Sequence, residues 1–278
     1  MQLFLLTALT MVAFAANSIL NRAAVDGAGV DPLVFALIRV AGGVVMLWLL
    51  VFLRKGARVR LTRARVWGAA TLALYMLGFS LAYLTLNAGL GALILFGGVQ
   101  ITMFAGAVIE RQAIAPRRWA GALIAFAGLV YLLWPGADAR VDTTGALLMA
   151  AAALGWGLYS LHGRGAADAL GDTAGNFLLC LPVVAIGAIF ASGNDISAAG
   201  LSLALASGAI TSGMGYALWY RVLPRLDAST AAIAQLSVPV IAVAAGALLL
   251  GEAPTAKLVL SGAIVLGGIA LATVRRSG

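Results

Sequence analysis

Polar and aromatic side chains that could bind a ligand fall at helical spacings inside apolar stretches of this sequence. Two triplets share the spacing i, i+3 and i+4: Phe14, Asn17 and Ser18, and Trp156, Tyr159 and Ser160. Residues at this spacing lie on one face of a helix. Aromatic rings that converge beside a few hydrogen-bonding groups suit a largely apolar ligand with one polar end. We therefore expect both faces to line a cavity, the alternative being that the rings only pack a core.

Two further stretches carry aromatic faces of similar spacing: Tyr75, Phe79 and Tyr83, and Tyr216, Trp219 and Tyr220. We interpret these rings as walls of the same cavity. The alternatives are core packing or, for Trp219 near the end of its stretch, the aromatic belt at a membrane surface. For Tyr220 we favour the aromatic belt at a membrane surface, since it lies near the end of its stretch. Gln100 and Gln235 lie inside apolar stretches and need interior partners, so they are candidate cavity walls or, alternatively, simple interhelical bonds.

Arg39 is the one charged residue deep inside an apolar stretch. It follows Asp31 by eight residues, which places it about 10 Å below the outer surface if the segment is a membrane helix. Its guanidinium could receive a substrate carboxylate through two parallel hydrogen bonds. Alternatively, it could bond to carbonyl groups at a neighbouring helix end and stabilise the bundle.

The composition identifies the elements that must position these residues. Hydrophobic residues make up 63% of the 278 residues and charged residues 10%, and the mean hydropathy is +1.04. A soluble domain has about 25% charged residues, so this is a membrane protein. Stretches long enough to cross a bilayer as helices recur ten times: within 3–21, 32–53, 66–86, 88–109, 118–134, 143–161, 174–191, 199–220, 229–250 and 256–274. The predicted fold is an all-α polytopic membrane protein with ten transmembrane helices.

The sequence also repeats itself. The pattern from Phe14 to Arg22 recurs 142 positions later, from Trp156 to Arg164, and Glu110 and Glu252 are separated by the same offset. We therefore predict two related halves, 1–136 and 142–276. Each half has five spans, so the second enters the membrane from the opposite side. Such inverted repeats are typical of secondary transporters that work by alternating access.

The distribution of positive charge predicts the orientation. With a cytoplasmic amino terminus, 14 Lys and Arg residues fall in inner segments and three in outer ones. The positive-inside rule then predicts that both termini are cytoplasmic. It also accounts for the net charge of +8 without a nucleic-acid partner. The expected partners are the lipid bilayer and a small-molecule substrate; no oligomeric state is indicated.

Few residues are available for catalysis or energy coupling. The chain has one histidine, His162, and one cysteine, Cys180, and its ten carboxylates fall at span ends or in loops. An intramembrane protease or lipid-modifying transferase, the alternative function, needs a nucleophile with its base, paired carboxylates or a metal site. We expect no enzyme activity, no cofactor and no metal. Transport should be secondary or facilitative, without obligatory coupling to protons or sodium.

These features resemble a known family. The motifs "AFAANS" and "GWGLYS" in the first span of each half, "VIERQ" and "LLGEAP" at the end of the fourth, and the glycine-rich fifth spans are similar to those of EamA-type proteins of the drug/metabolite transporter superfamily. The resemblance implies an inner-membrane exporter of amino acids, related metabolites or drugs, closest to the aromatic amino-acid and drug exporter branch. Glu110 and Glu252 would support the fold. Pro239 in span 9 has no proline counterpart in span 4.

Overall fold

A computed structural model describes residues 1–54, 63–111, 114–134, 141–163, 168–193, 196–222, 225–226, 234–235 and 237–273. Most of the basic segment 54–65, Arg164 and the predicted half boundaries 136 and 276 lie outside these residues. The described part of the chain is helical and contains no β-strand. Ten helices in it are 14 residues or longer.

Each long helix coincides with one apolar stretch predicted from the sequence. We number them α1 Gln2–Arg22, α2 Pro32–Leu53, α3 Arg63–Ala82, α4 Ala88–Ile109, α5 Pro116–Leu133, α6 Thr143–His162, α7 Ala169–Ala188, α8 Ala198–Val222, α9 Ser237–Leu250 and α10 Ala256–Thr273. Seven helices, α1 to α4 and α6 to α8, are long and apolar enough to cross a membrane, and α9 and α10 contain shorter apolar segments. The chain is therefore a multi-pass membrane protein.

Side chains in the connecting segments define where several helices begin. The Asp31 carboxylate accepts a hydrogen bond from the amide of Leu33 at 2.8 Å, with Pro32 at the first helical position. Asp142 accepts bonds from the Gly145 amide and from the Thr85 hydroxyl. These two bonds, the backbone one first, lower the pKa of the Asp142 carboxyl. Carboxylates at span ends thus serve as helix caps, which satisfy otherwise unpaired amides.

The helices pack in pairs that combine the two halves of the chain. Helix α3 packs on α6 and α7, α2 on α7 and α8, α4 on α6 and α9, α1 on α8 and α9, and α5 on α10. Glycines permit the closest approaches. A Cβ at Gly155 would lie 2.7 Å from backbone atoms of both Thr71 and Tyr75, so α6 and α3 touch there through their backbones.

Helix α8 is not a regular α-helix. Its middle, Ala206–Met214, is a π-helix, flanked by the α-helical segments Ala198–Leu205 and Gly215–Val222. A π segment has more residues per turn than an α-helix, and such segments occur frequently at functional sites. Gly208 in this segment approaches the backbone of Arg39 on α2, so the irregular part of α8 lies directly beside the buried arginine.

Candidate functional site

A small cavity lies between five helices in the interior of the bundle. Its lining residues come from α1, α3, α4, α6 and α8: Phe14, Asn17, Tyr75, Phe79, Leu95, Phe96, Trp156 and Tyr216. The cavity volume is about 10 Å³, enough for about one water molecule. A larger ligand therefore requires the lining side chains to move apart.

Trp156 is the centre of the aromatic wall. Its ring centroid lies 4.9 Å from that of Tyr216, 5.1 Å from Tyr75 and 6.3 Å from Phe14. Phe14 also contacts Tyr216 edge-on at 5.9 Å. These rings come from four different helices, so the cavity wall depends on how α1, α3, α6 and α8 are packed together.

Asn17 forms the polar part of the lining. Its side-chain oxygen accepts hydrogen bonds from three hydroxyls of the π segment, those of Ser207 at 2.9 Å, Thr211, and Ser212 at 3.4 Å. The residues are 2% exposed or less, except Thr211 at 6%. These three hydroxyls were not predicted from the sequence. The motif "ASGAITSG" does contain these three hydroxyl residues close together. In a regular α-helix, however, the three side chains would not all reach one side chain of a neighbouring helix.

Arg39 lies next to this polar group and is completely buried. Its Nε donates to the hydroxyl of Ser212 at 3.0 Å and its Nη2 to the hydroxyl of Tyr75 at 2.9 Å. The guanidinium carbon is 4.9 Å from the ring centroid of Phe79 and 5.3 Å from that of Tyr75. Nη1 has no hydrogen-bond partner among the residues that the structure describes. The guanidinium therefore lies directly behind two rings of the cavity wall.

Several side chains predicted for the cavity form a second layer around it. Tyr159 stacks on Trp156 with centroids 5.5 Å apart, but its hydroxyl lies near Thr173 and Asn176, each at 3.5 Å. Trp219 contacts the edge of Phe14 at 5.9 Å. These two rings support the cavity wall without lining the cavity.

The remaining predicted residues are also outside the lining. Ser160 donates to the carbonyl oxygen of Trp156 in its own helix at 2.7 Å. Tyr83 packs against Phe79, and its hydroxyl lies 3.4 Å from the carbonyl oxygen of Ala88. Gln100 and Gln235 are half-buried. Phe96, which the sequence analysis did not select, does line the cavity.

The described residues contain no group of three His, Cys, Asp or Glu side chains that could hold a metal ion. His162 is exposed at the end of α6, and Cys180 is buried in α7. The cavity is instead lined by aromatic rings and the Asn17 amide, and the Arg39 guanidinium lies nearby. This arrangement is suited to binding an organic molecule.

Comparison with known proteins supplies three similarities. The model of the EamA-like transporter family matches residues 143–274. Uncharacterized protein PA1977 of Pseudomonas aeruginosa is 46% identical over 275 residues, which cover 99% of this chain and 95% of that protein. A protein of known crystal structure superimposes with a TM-score of 0.72 at 22% identity, over 97% of this chain and 98% of its own. That last similarity concerns the fold.

Proposed function

Because the chain belongs to the EamA-like transporter family, we propose that it exports amino acids and related small metabolites across the inner membrane by alternating access. The observation that carries this proposal is the aromatic cavity beside the buried Arg39. Helices α1, α3 and α4 of the first half and α6 and α8 of the second contribute to it. A site between two halves can be opened to either side when the halves move relative to each other.

Ten spans in two inverted halves, 1–136 and 142–276, are part of the proposal. A twofold axis would exchange α1 to α5 with α6 to α10. The helix contacts agree with such an exchange, since α3 packs on α6 as α8 packs on α1, and α4 on α6 as α9 on α1. The same axis would exchange the two members of three further packed pairs, so that each pair is unchanged: α2 with α7, α4 with α9 and α5 with α10.

Contacts between loop-side residues support the alternating direction of the spans. Arg22 at the end of α1 pairs with Glu252 after α9, at 3.2 Å. Arg54 at the end of α2 pairs with Asp168 before α7, at 2.8 Å. In a ten-span arrangement the first pair falls on the outer surface and the second on the cytoplasmic one. Both termini are then cytoplasmic.

This topology predicts how single cysteines react with a membrane-impermeant thiol reagent. In a Cys180→Ala background, a cysteine at Gly193, where an added Cβ would meet no described atom within 4 Å, should be labelled in intact cells. A cysteine at position 56 should be labelled only after the membrane is permeabilised. Labelling of position 56 from outside would contradict the orientation.

The contacts around Glu252 support an outward-closed state. Its carboxylate accepts hydrogen bonds from Arg22 Nε at 3.2 Å and from the amide of Ala88 at the start of α4, at 2.8 Å. The buried residues of α4 all fall between Ala88 and Val99, whereas residues 100–109 are half-buried or exposed. Substrate release to the outside would require α4 to separate from α9.

Glu252→Gln should therefore favour opening at the outer end. The change removes the charge that holds Arg22, while the neutral side chain is a weaker acceptor for the Ala88 amide. In a Cys180→Ala background, a cysteine at Val243, which lies against Gly89, should react several-fold faster with an external thiol reagent. Asp26→Asn is the matched control, because Asp26 also pairs with Arg22 but is 58% exposed and lies in the same half. Equal labelling rates in the two variants would contradict this role of Glu252.

Transport itself is tested with purified protein in sealed proteoliposomes. A panel of labelled amino acids and cationic drugs is offered to vesicles preloaded with the unlabelled compound and to empty vesicles, with and without pH and sodium gradients. We expect exchange of at least one amino acid, and no accumulation above the outside concentration in empty vesicles. Folded protein that exchanges no member of the panel would contradict the proposed function. Accumulation driven by one gradient would contradict uncoupled transport.

A further inference from the structure

We propose that the substrates of this protein carry a carboxylate on an apolar, preferably aromatic, body, and that Arg39 binds the carboxylate. This inference deepens the proposed function and rests on it. It names the residue that recognises the carboxylate, which the family membership does not supply.

Electrostatics favour an anion beside Arg39. A cation buried in a membrane protein is costly unless an anion or several hydrogen bonds compensate it. Arg39 is 0% exposed and forms no ion pair with a carboxylate in the described part of the chain. The described carboxylates with assigned contacts are bound near the two ends of the bundle, to other arginines or as helix caps: Asp26, Asp31, Asp142, Asp168, Asp172 and Glu252. An anionic ligand would supply the missing charge.

The positions of Arg39 and Tyr216 allow both to donate to one carboxylate. In the described part of the chain, two donors beside the cavity are buried without a hydrogen-bond partner at normal geometry, Nη1 of Arg39 and the hydroxyl of Tyr216. Tyr216 lines the cavity, and the two rings that contact the guanidinium, Tyr75 and Phe79, line it as well. A carboxylate has two oxygens that accept several hydrogen bonds. It could accept from Arg39 and Tyr216 together once the lining side chains move apart.

The rest of the lining defines the remainder of the ligand. Phe14, Leu95, Phe96 and Trp156 present apolar surface on three helices. None of the described lining residues carries a negative charge that could bind an ammonium group. The site should therefore recognise an aromatic carboxylate whether or not it carries an amine.

The oxygen cluster around Asn17 could suggest a sodium site, but the charge of Arg39 opposes it. The Ser212 hydroxyl, which belongs to this cluster, accepts a hydrogen bond from Arg39 Nε at 3.0 Å. A cation in the cluster would lie within a few ångströms of the guanidinium, where repulsion in a low-dielectric interior is strong. The same charge favours an anion.

The test uses the purified full-length protein and four matched ligands. L-phenylalanine and 3-phenylpropionate carry the carboxylate, 3-phenylpropionamide is the neutral analogue of the acid, and phenethylamine carries only the amine. Binding is measured by quenching of intrinsic tryptophan fluorescence. Hydrogen bonds to charged groups contribute about 1.5–3 kcal/mol, so the two carboxylates should bind at least about tenfold more tightly than the amide or the amine.

Substitutions assign this preference to Arg39. Arg39→Gln keeps a hydrogen-bond donor but removes the charge, so the preference for 3-phenylpropionate over its amide should disappear. Arg54→Gln is the charge-matched control, since Arg54 is 57% exposed at the opposite, predicted cytoplasmic, end of α2, and it should keep the preference. If Arg39→Gln does not fold, Tyr216→Phe is the second variant, and it should weaken binding of the carboxylate several-fold.

Two results would overturn the inference. One is binding of the amide or the amine as tight as that of 3-phenylpropionate in the unmodified protein. The other is no binding of any of the four ligands to folded protein. In either case the proteoliposome panel still decides separately whether the protein transports another class of molecule, so failure of the inference is distinguishable from failure of the proposed function.

Discussion

Trp156→Ala is expected to reduce substrate transport at least about tenfold while leaving folded protein in the membrane. Trp156 contributes one wall of the cavity and contacts the rings of Phe14, Tyr75, Tyr159 and Tyr216. Aromatic pairs contribute about 0.5–1.5 kcal/mol each beyond the burial of their surface. Losing two such contacts in the ligand-bound state already corresponds to about a tenfold effect.

The measurement is uptake into proteoliposomes at equal protein content, with membrane levels of each variant determined in parallel. Trp67→Ala is the matched control, because it makes the same chemical change at a ring that is 69% exposed on α3, and its transport should stay near the unmodified rate. Trp156→Phe should retain part of the activity. If Trp156→Ala and Tyr159→Ala both transport normally at normal expression, the substrate site is elsewhere.

Gly208→Ala is expected to have the largest effect on stability. A Cβ at position 208 would overlap the carbonyl oxygen of Arg39 and would lie 3.0 Å from its Cα. These are backbone atoms, so no rotamer change relieves the overlap, and α8 must move away from α2. Overpacking of this kind costs about 1–3 kcal/mol and occasionally more. The displacement would also separate Ser212 from Arg39, so binding should weaken as well.

The control for this prediction is another glycine in a helix. A Cβ at Gly267 on α10 would have no atom within 4 Å, and alanine has a higher helix propensity than glycine by about 1 kcal/mol. Gly267→Ala should therefore be neutral or slightly stabilising. The variants are distinguished by the melting temperature of the purified protein, which is measured by size-exclusion chromatography of heated samples. Equal melting temperatures for Gly208→Ala and the unmodified protein would contradict the close packing of α2 on α8.

Much of the helical architecture could be predicted from the sequence because it depends on local properties. The length and apolarity of each stretch decide whether it can form a membrane helix. Each of the ten stretches overlaps one of the long helices, and seven of these helices are long and apolar enough to cross a membrane. Spacing within a helix also decides which side chains share a face. That is why the cavity lining includes six residues selected from the sequence: Phe14, Asn17, Tyr75, Phe79, Trp156 and Tyr216.

Helix positions and the side chains that share a helix face could thus be predicted, since both follow from spacing along a single segment. The rotation of each helix depends instead on packing between helices. It leaves Ser160 bonded to the Trp156 carbonyl of its own helix, outside the cavity lining, and brings Phe96 into the lining. The tertiary structure also revealed the π segment, whose altered turn directs Ser207 and Ser212 toward Asn17. Whether a buried charged side chain lies beside a group of opposite charge depends on the depth and rotation of every neighbouring helix. No local pattern in the sequence contains that information.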